Sequence, residues 1–268
     1  MAKAKIITDA DACIPVQLCH ELEILTAPLD PQLLINAEPA ASLRRDQAPR
    51  KHNTAVATTL RASEASDIIV YVSCDDGYGG GKDLVSTAHE ALAHQQSTAK
   101  LISVPIAGTL MAVGWAAIVA GRIAQIASGV DQVIAKAQHI GEITRVLGLL
   151  EYPQVVGIGQ GLASTLRRTR ALVELHGSEI EVLEQPYSRQ AGLLSLREHF
   201  VAEVTGTPGA LHVAIHHAGA APAAIAMQSW VNKELEPVES VPAPLTRHAA
   251  TRLGPGLVGF AWYSEPPN

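Results

Sequence analysis

Arg252-Leu253-Gly254-Pro255-Gly256, near the C-terminus, sets a cation beside two glycines that bracket a proline. Gly254 and Gly256 can enter backbone conformations closed to larger residues and leave N–H groups free to meet a polar head group. The Arg252 guanidinium can hold a carboxylate in two places. A tight turn between core strands uses the same residues, so anchoring within the fold stays open as a second reading. Gly77-Tyr78-Gly79-Gly80-Gly81-Lys82 imitates a phosphate loop between a strand and a helix. The P-loop spacing would require glycine at Asp76 and a hydroxyl residue at Asp83, and neither is present. Ser73, just upstream, has the place of a nucleophile at a strand end but lacks the GxSxG elbow. His89 and His94 flank Glu90 five residues apart rather than four, about 140° around a helix, which does not suit one metal ion. His216 and His217 are adjacent, so in a strand they point to opposite faces. Gly157-Ile158-Gly159-Gln160-Gly161 misses the dinucleotide pattern because Leu162 follows, and reads as a turn. Arg167-Arg168-Thr169-Arg170 reads as a solvated face or a docking patch for an acidic partner. The composition of these groups points to no metal site and no catalytic set.

The elements that must position these residues alternate in the first half. Strands are expected at 5–8, 23–27, 67–73 and 100–104, with helices over 15–23, 63–66 and 83–96, the rhythm of a parallel α/β sheet. A polar, irregular stretch over 36–53 reads as a surface loop. From Val104 to Gly121 no charge occurs for 18 residues, the lower limit of a membrane span, but Pro105, Gly108, Gly114 and Gly121 interrupt it. A buried helix continuing amphipathically through Ile123, Ile126 and Val130 fits better. Its small residues suit a channel for an alkyl chain beside it, or close helix packing. The second half reads as α+β. Strands are expected at 155–158, 171–175, 179–183, 210–216 and 258–263, with helices over 189–200 and 221–235.

A chain of 268 residues carries one large domain or two ordinary ones. We expect an N-terminal α/β lobe over 1–140 and a C-terminal α+β lobe over 141–268. The net charge of -6 offers no general attraction to phosphate backbones or anionic membranes, so neither nucleic acid nor stable membrane insertion is expected. Cys13, Cys19 and Cys74 are too few and too irregular for a disulfide framework or a CxxC zinc site. Together with an N-terminus that enters a strand at once, this suggests a reducing, cytoplasmic compartment.

Several landmarks resemble the DegV family of fatty-acid-binding proteins. Ile7-Thr8-Asp9-Ala10 is similar to the family's strand ending in Thr-Asp-Ser, and Ile24 to Leu29 to its apolar strand ending in Pro-Leu. Ala57-Thr58-Thr59-Leu60 stands for its Thr-Ser-Gln-Pro turn, Ile68 to Cys74 for its serine-bearing strand, and Arg252 to Gly256 for its His-Thr-Gly-Pro-Gly motif. The resemblance implies a two-lobed fold, with a mostly parallel N-terminal sheet and a C-terminal lobe whose sheet is mixed or antiparallel. It implies a non-enzymatic carrier, without a cofactor, that holds a long-chain fatty acid in an internal tunnel and presents its carboxylate to a partner kinase. The head-group residues it implies are Thr58 or Thr59, Ser73 with Cys74 at the strand end, and Arg252 with Gly254 and Gly256. Segment 104–121 would line part of the tail site. The family's Ser-Gly-Thr loop is replaced by Asp75 to Lys82, its Asp-Ser by Val104-Pro105, and its Gly-Gly-Arg motif is missing. The alternative is an enzyme or phospho-ligand-binding protein that uses Ser73 and the Gly77–Lys82 loop.

Overall fold

A computed structural model describes residues 4–27, 51–74, 81–126, 129–158, 170–177, 179–207 and 209–265. These fall into two compact units that divide between Thr144 and Arg145. The first is built on an apolar run, β3 (Ile68–Cys74), buried from Ile69 onward. β1 (Lys5–Asp9) lies beside it, β2 (Leu25–Ala27) beyond β1, and β4 (Lys100–Ile106) on the other side of β3. Every pairing is parallel, which is why these strands lack polar alternation: helices cover both faces.

The register decides which side chains share a face. Ile7 lies opposite Tyr71 and Lys5 opposite Ile69, and α2 (Lys51–Ala65) and α3 (Gly81–His94) cover that face through Ala55, Ala62, Leu84, Ala88 and Leu92. The helix expected over 63–66 is therefore the end of a four-turn helix that already begins at Lys51. On the opposite face, Ile106 meets Gly141 of α5 (Val130–Ile143). α4 (Met111–Gln125) packs against α5 and is buried over most of its length. It stops at Gln125, so Val130 starts a new helix rather than continuing the old one. No described helix is long and apolar enough to cross a membrane.

The glycines around α4 are closely packed. A Cβ on Gly114 would stand 2.5 Å from both the Ala12 carbonyl and Met111 Sδ, and one on Gly108 2.7 Å from Ala112 Cβ. Of the two uses open to small residues, close packing is the one realised at these positions. Leu110, which precedes α4, has φ 53° and ψ −130°, a strained conformation for a side chain, held by burial to 2% exposure.

In the second unit the strand order is β7-β6-β5-β10-β8-β9. The strands are β5 (Arg145–Leu150), β6 (Ala171–His176), β7 (Glu179–Glu184), β8 (Ala210–His217), β9 (Glu239–Pro244) and β10 (Val258–Glu265). All neighbours are antiparallel except β8 and β9. α6 (Arg189–Thr205) and α7 (Ala221–Glu234) pack on one face. Phe200 stacks on Phe260 with ring centroids 4.3 Å apart and meets the edge of Trp262. Ser188 caps α6 by accepting from the Ala191 N–H. Segment 155–158 is not a strand: Pro153 opens a 3-10 turn, Pro153–Val156, which ends at Gly157 with φ 84°. β5, β9 and the helix α8 (Arg247–Leu253) add to the expected elements.

Candidate functional site

Of the hydroxyls proposed for a head group, Ser73 lies at the carboxyl end of β3, whereas Thr58 and Thr59 lie on α2. Thr58 lies three residues after Ala55, and Thr59 lies three before Ala62, so both sit on the side of α2 that packs against the sheet. Both are fully buried. Thr59 donates back to the Ala55 carbonyl at 2.8 Å within its own helix, whereas Thr58 reaches the Thr26 carbonyl of β2 at a looser 3.4 Å. Ser73 alternates with Tyr71 along β3 and so faces α2. It is 2% exposed. Its place at the carboxyl end of a parallel strand is where open α/β sheets bind ligands.

Cys74 belongs to the same strand end but points the other way, its thiol donating to the Gly108 carbonyl at 2.9 Å. Its N–H donates to Asp9 Oδ2 at 3.2 Å, and Asp9 Oδ1 accepts from the Tyr71 hydroxyl at 3.1 Å. Burial, and then the charge of Asp9, push the Tyr71 phenol far above its ordinary range, so it remains a donor. The sequence reading had given Asp9 and Tyr71 no role. A signal was available, because a tyrosine inside an all-apolar strand needs a partner for its hydroxyl.

In the second unit, Arg252 stands in the last turn of α8 and not in the glycine turn itself. Gly254 and Gly256 do take positive φ, 91° and 81°. Their N–H groups are not free, which corrects the sequence expectation: Gly254 donates to the Ala250 carbonyl at 2.9 Å and Gly256 to the Ala218 carbonyl at 2.7 Å. One closes α8 and the other ties the turn to the end of β8. Arg189 Nη1 spans the Gly256 carbonyl and Glu151, and Arg170 also binds Glu151. Burial alone would raise the Glu151 pKa, but the two arginines hold it below the usual carboxylate value. Arg170 thus serves an internal network. The rest of the 167–170 run, and the Gly77–Gly80 part of the phosphate-like loop, lie outside the described residues.

His216 and His217 part as alternation requires. His216 is buried, with Nδ1 2.8 Å from the Ala243 carbonyl, and desolvation lowers its pKa to about 4. Among the described residues one group has metal-ligand spacing: Glu174, His176 and Glu181, with ligand atoms within 4.8 Å of one another. Arg145 forks onto both oxygens of Glu174 at 2.7 and 2.8 Å and also binds Glu203. The cluster therefore reads as a buried carboxylate neutralised by an arginine.

No protein-family profile matches the chain, and no curated protein matches it in sequence. Solved structures do match. A Thermotoga maritima protein described as having a fatty acid binding function superposes with TM-score 0.76 at 16% identity, over 99% of this chain and 100% of that one. A DegV family protein from Thermus thermophilus, described for fatty acid binding, gives 0.77 at 17%, over 98% and 100%. A DegV family protein from Eubacterium eligens, loaded with heptadecanoic acid, gives 0.71 at 11%, over 98% and 100%. Identities this low establish a likeness of architecture, carried over the whole length by a parallel sheet followed by a mixed one: the chain has the fold of the DegV family proteins.

Proposed function

We propose that this protein is a divergent DegV member and a non-enzymatic carrier that binds a long-chain fatty acid. Its carboxyl group is held by Ser73 and Thr58 at the carboxyl end of the first unit's sheet. The observation that carries the reading is the place of Ser73, almost wholly buried at the carboxyl end of a parallel strand and on the face covered by the helix that bears Thr58. Two hydroxyls can donate to a carboxylate, and a buried hydrogen bond to a charged group contributes about 1.5–3 kcal/mol. Support for the ligand class comes from neighbours of the same fold that are described as fatty-acid-binding, one of them loaded with a 17-carbon acid. Thr59, whose proton is already given to Ala55, is the weaker of the two adjacent threonines. Presentation of the carboxylate to a partner kinase completes the proposal and rests on the family resemblance, and a cytoplasmic location rests on the few, irregularly spaced cysteines.

The test is oleate binding by the Thr58→Ala/Ser73→Ala variant, with thermal unfolding as the check on folding. We expect affinity to fall at least tenfold, since the loss of one such hydrogen bond already exceeds the roughly 1.4 kcal/mol of a factor of ten. Unchanged affinity sinks the head-group assignment. Wild-type protein that neither carries nor accepts a fatty acid sinks the carrier reading itself.

A further inference from the structure

Asp9 is 3% exposed, and its carboxylate accepts from Tyr71, two residues before Ser73, and from Cys74, the residue after it. The paired register of β1 with β3 ends at Thr8 and Val72, one residue short of Ser73. Beyond that point β1 has no further backbone partner to offer, and the side chain of Asp9 takes over: Oδ2 accepts the Cys74 N–H and Oδ1 the Tyr71 hydroxyl. On its other side the strand end is paired with β4, Ser73 opposite Pro105 and Cys74 opposite Ile106, so the Asp9 contact to the Cys74 N–H holds the edge that β1 leaves open. Tyr71 is itself fixed by burial in the apolar face beneath α2 and α3.

We propose that Asp9 is the positioning residue of the head-group site, an acceptor that extends the β1–β3 ladder past its last backbone pair and thereby aims the Ser73 hydroxyl. The inference rests on the carrier reading above and adds the residue on which that site's geometry depends. Asp9 acts through Ser73 and need not touch the ligand. Losing it costs head-group recognition rather than tail burial.

A double-mutant cycle tests this, with oleate and oleyl alcohol as probes and wild-type, Asp9→Ala, Ser73→Ala and Asp9→Ala/Ser73→Ala proteins. Asp9→Ala should weaken oleate by about tenfold in the wild-type background and by less than about twofold once Ser73 is gone, because coupled residues are non-additive. Oleyl alcohol, which lacks the carboxylate, should lose much less. Asp9→Asn, which keeps an oxygen for the Cys74 N–H, should restore most of the oleate affinity. Equal losses in both backgrounds, or equal losses for the two probes, would reveal a purely structural role and overturn the proposal. If Asp9→Ala does not fold, Tyr71→Phe, which removes one of the two attachments, takes its place in the cycle with the same expected pattern. A wild type that binds no oleate overturns the carrier reading, whereas a wild type that binds while the cycle shows no coupling overturns only the role of Asp9.

Discussion

Thr8 carries a hydroxyl that is fully buried and has no hydrogen-bond partner among the described residues. It alternates to the face of β1 opposite Ile7 and Asp9, so it does not belong to the Ser73 cluster. Its isostere without the hydroxyl should fit better: Thr8→Val is expected to raise unfolding free energy by about 1 kcal/mol, read from urea melts, because an unpaired buried hydroxyl is costly. A drop in stability would mean that the hydroxyl is in use. His216 is the other residue whose burial has a measurable consequence. Its pKa falls from 6.5 to about 4 on folding, so the unfolded chain takes up a proton between those values while the folded chain does not. The stability contributed by neutral His216 is complete above pH 6.5 and is lost as pH falls toward 4. The half-buried His217 shifts in the same direction. Unfolding free energy from denaturant melts should fall, as pH is lowered, by up to roughly 1.4 kcal/mol per pH unit from this one group, and His216→Gln should flatten that slope. An unchanged slope would assign the acid sensitivity elsewhere.

The elements themselves were legible where periodicity was strong. β1, β3, β6, β7, β8 and β10 lie where apolar runs predict them, and α6 and α7 follow their 3.6-residue pattern. β9 escaped notice because Pro242 and Pro244 interrupt it, which is tolerable only at a sheet edge, and β9 is an edge. α8 escaped because seven residues make too short a pattern, although Thr246 caps it through the Ala249 N–H. At α4 composition pointed two ways, and packing chose. Gly114→Ala should cost about 1–3 kcal/mol in a denaturant melt, because the added carbon would meet the Ala12 carbonyl, which cannot move aside as a flexible side chain can. Gly114→Leu should fail to fold, so it reports on packing and cannot serve as a probe of a tail channel. Gly148 in β5, whose Cβ would meet nothing nearer than 3.8 Å, should accept alanine with little change.

At the scale of the whole molecule, the carrier proposal predicts coupling between ligand and stability. Wild-type protein at an oleate concentration of 100 times Kd should gain about 2.7 kcal/mol of unfolding free energy, measured as a rise in Tm. Each methylene added to a saturated acid should tighten binding by roughly 0.8 kcal/mol, about fourfold, until the tail site is full. Affinity independent of chain length would instead place all recognition in the head group. The sequence by itself determined that the first unit is a parallel α/β sheet and that the second is α+β. Those conclusions rest on local patterns: uninterrupted apolar runs, helical periodicity and the residue types at turns. Only the tertiary structure decided which polar groups are already spent and which remain. Asp9 finds its partners 62 and 65 positions away along the chain, and the Gly256 N–H is taken by Ala218. Strand pairing, which no local pattern records, sets Ser73 on the face that α2 covers and turns the Cys74 thiol to the Gly108 carbonyl on the other.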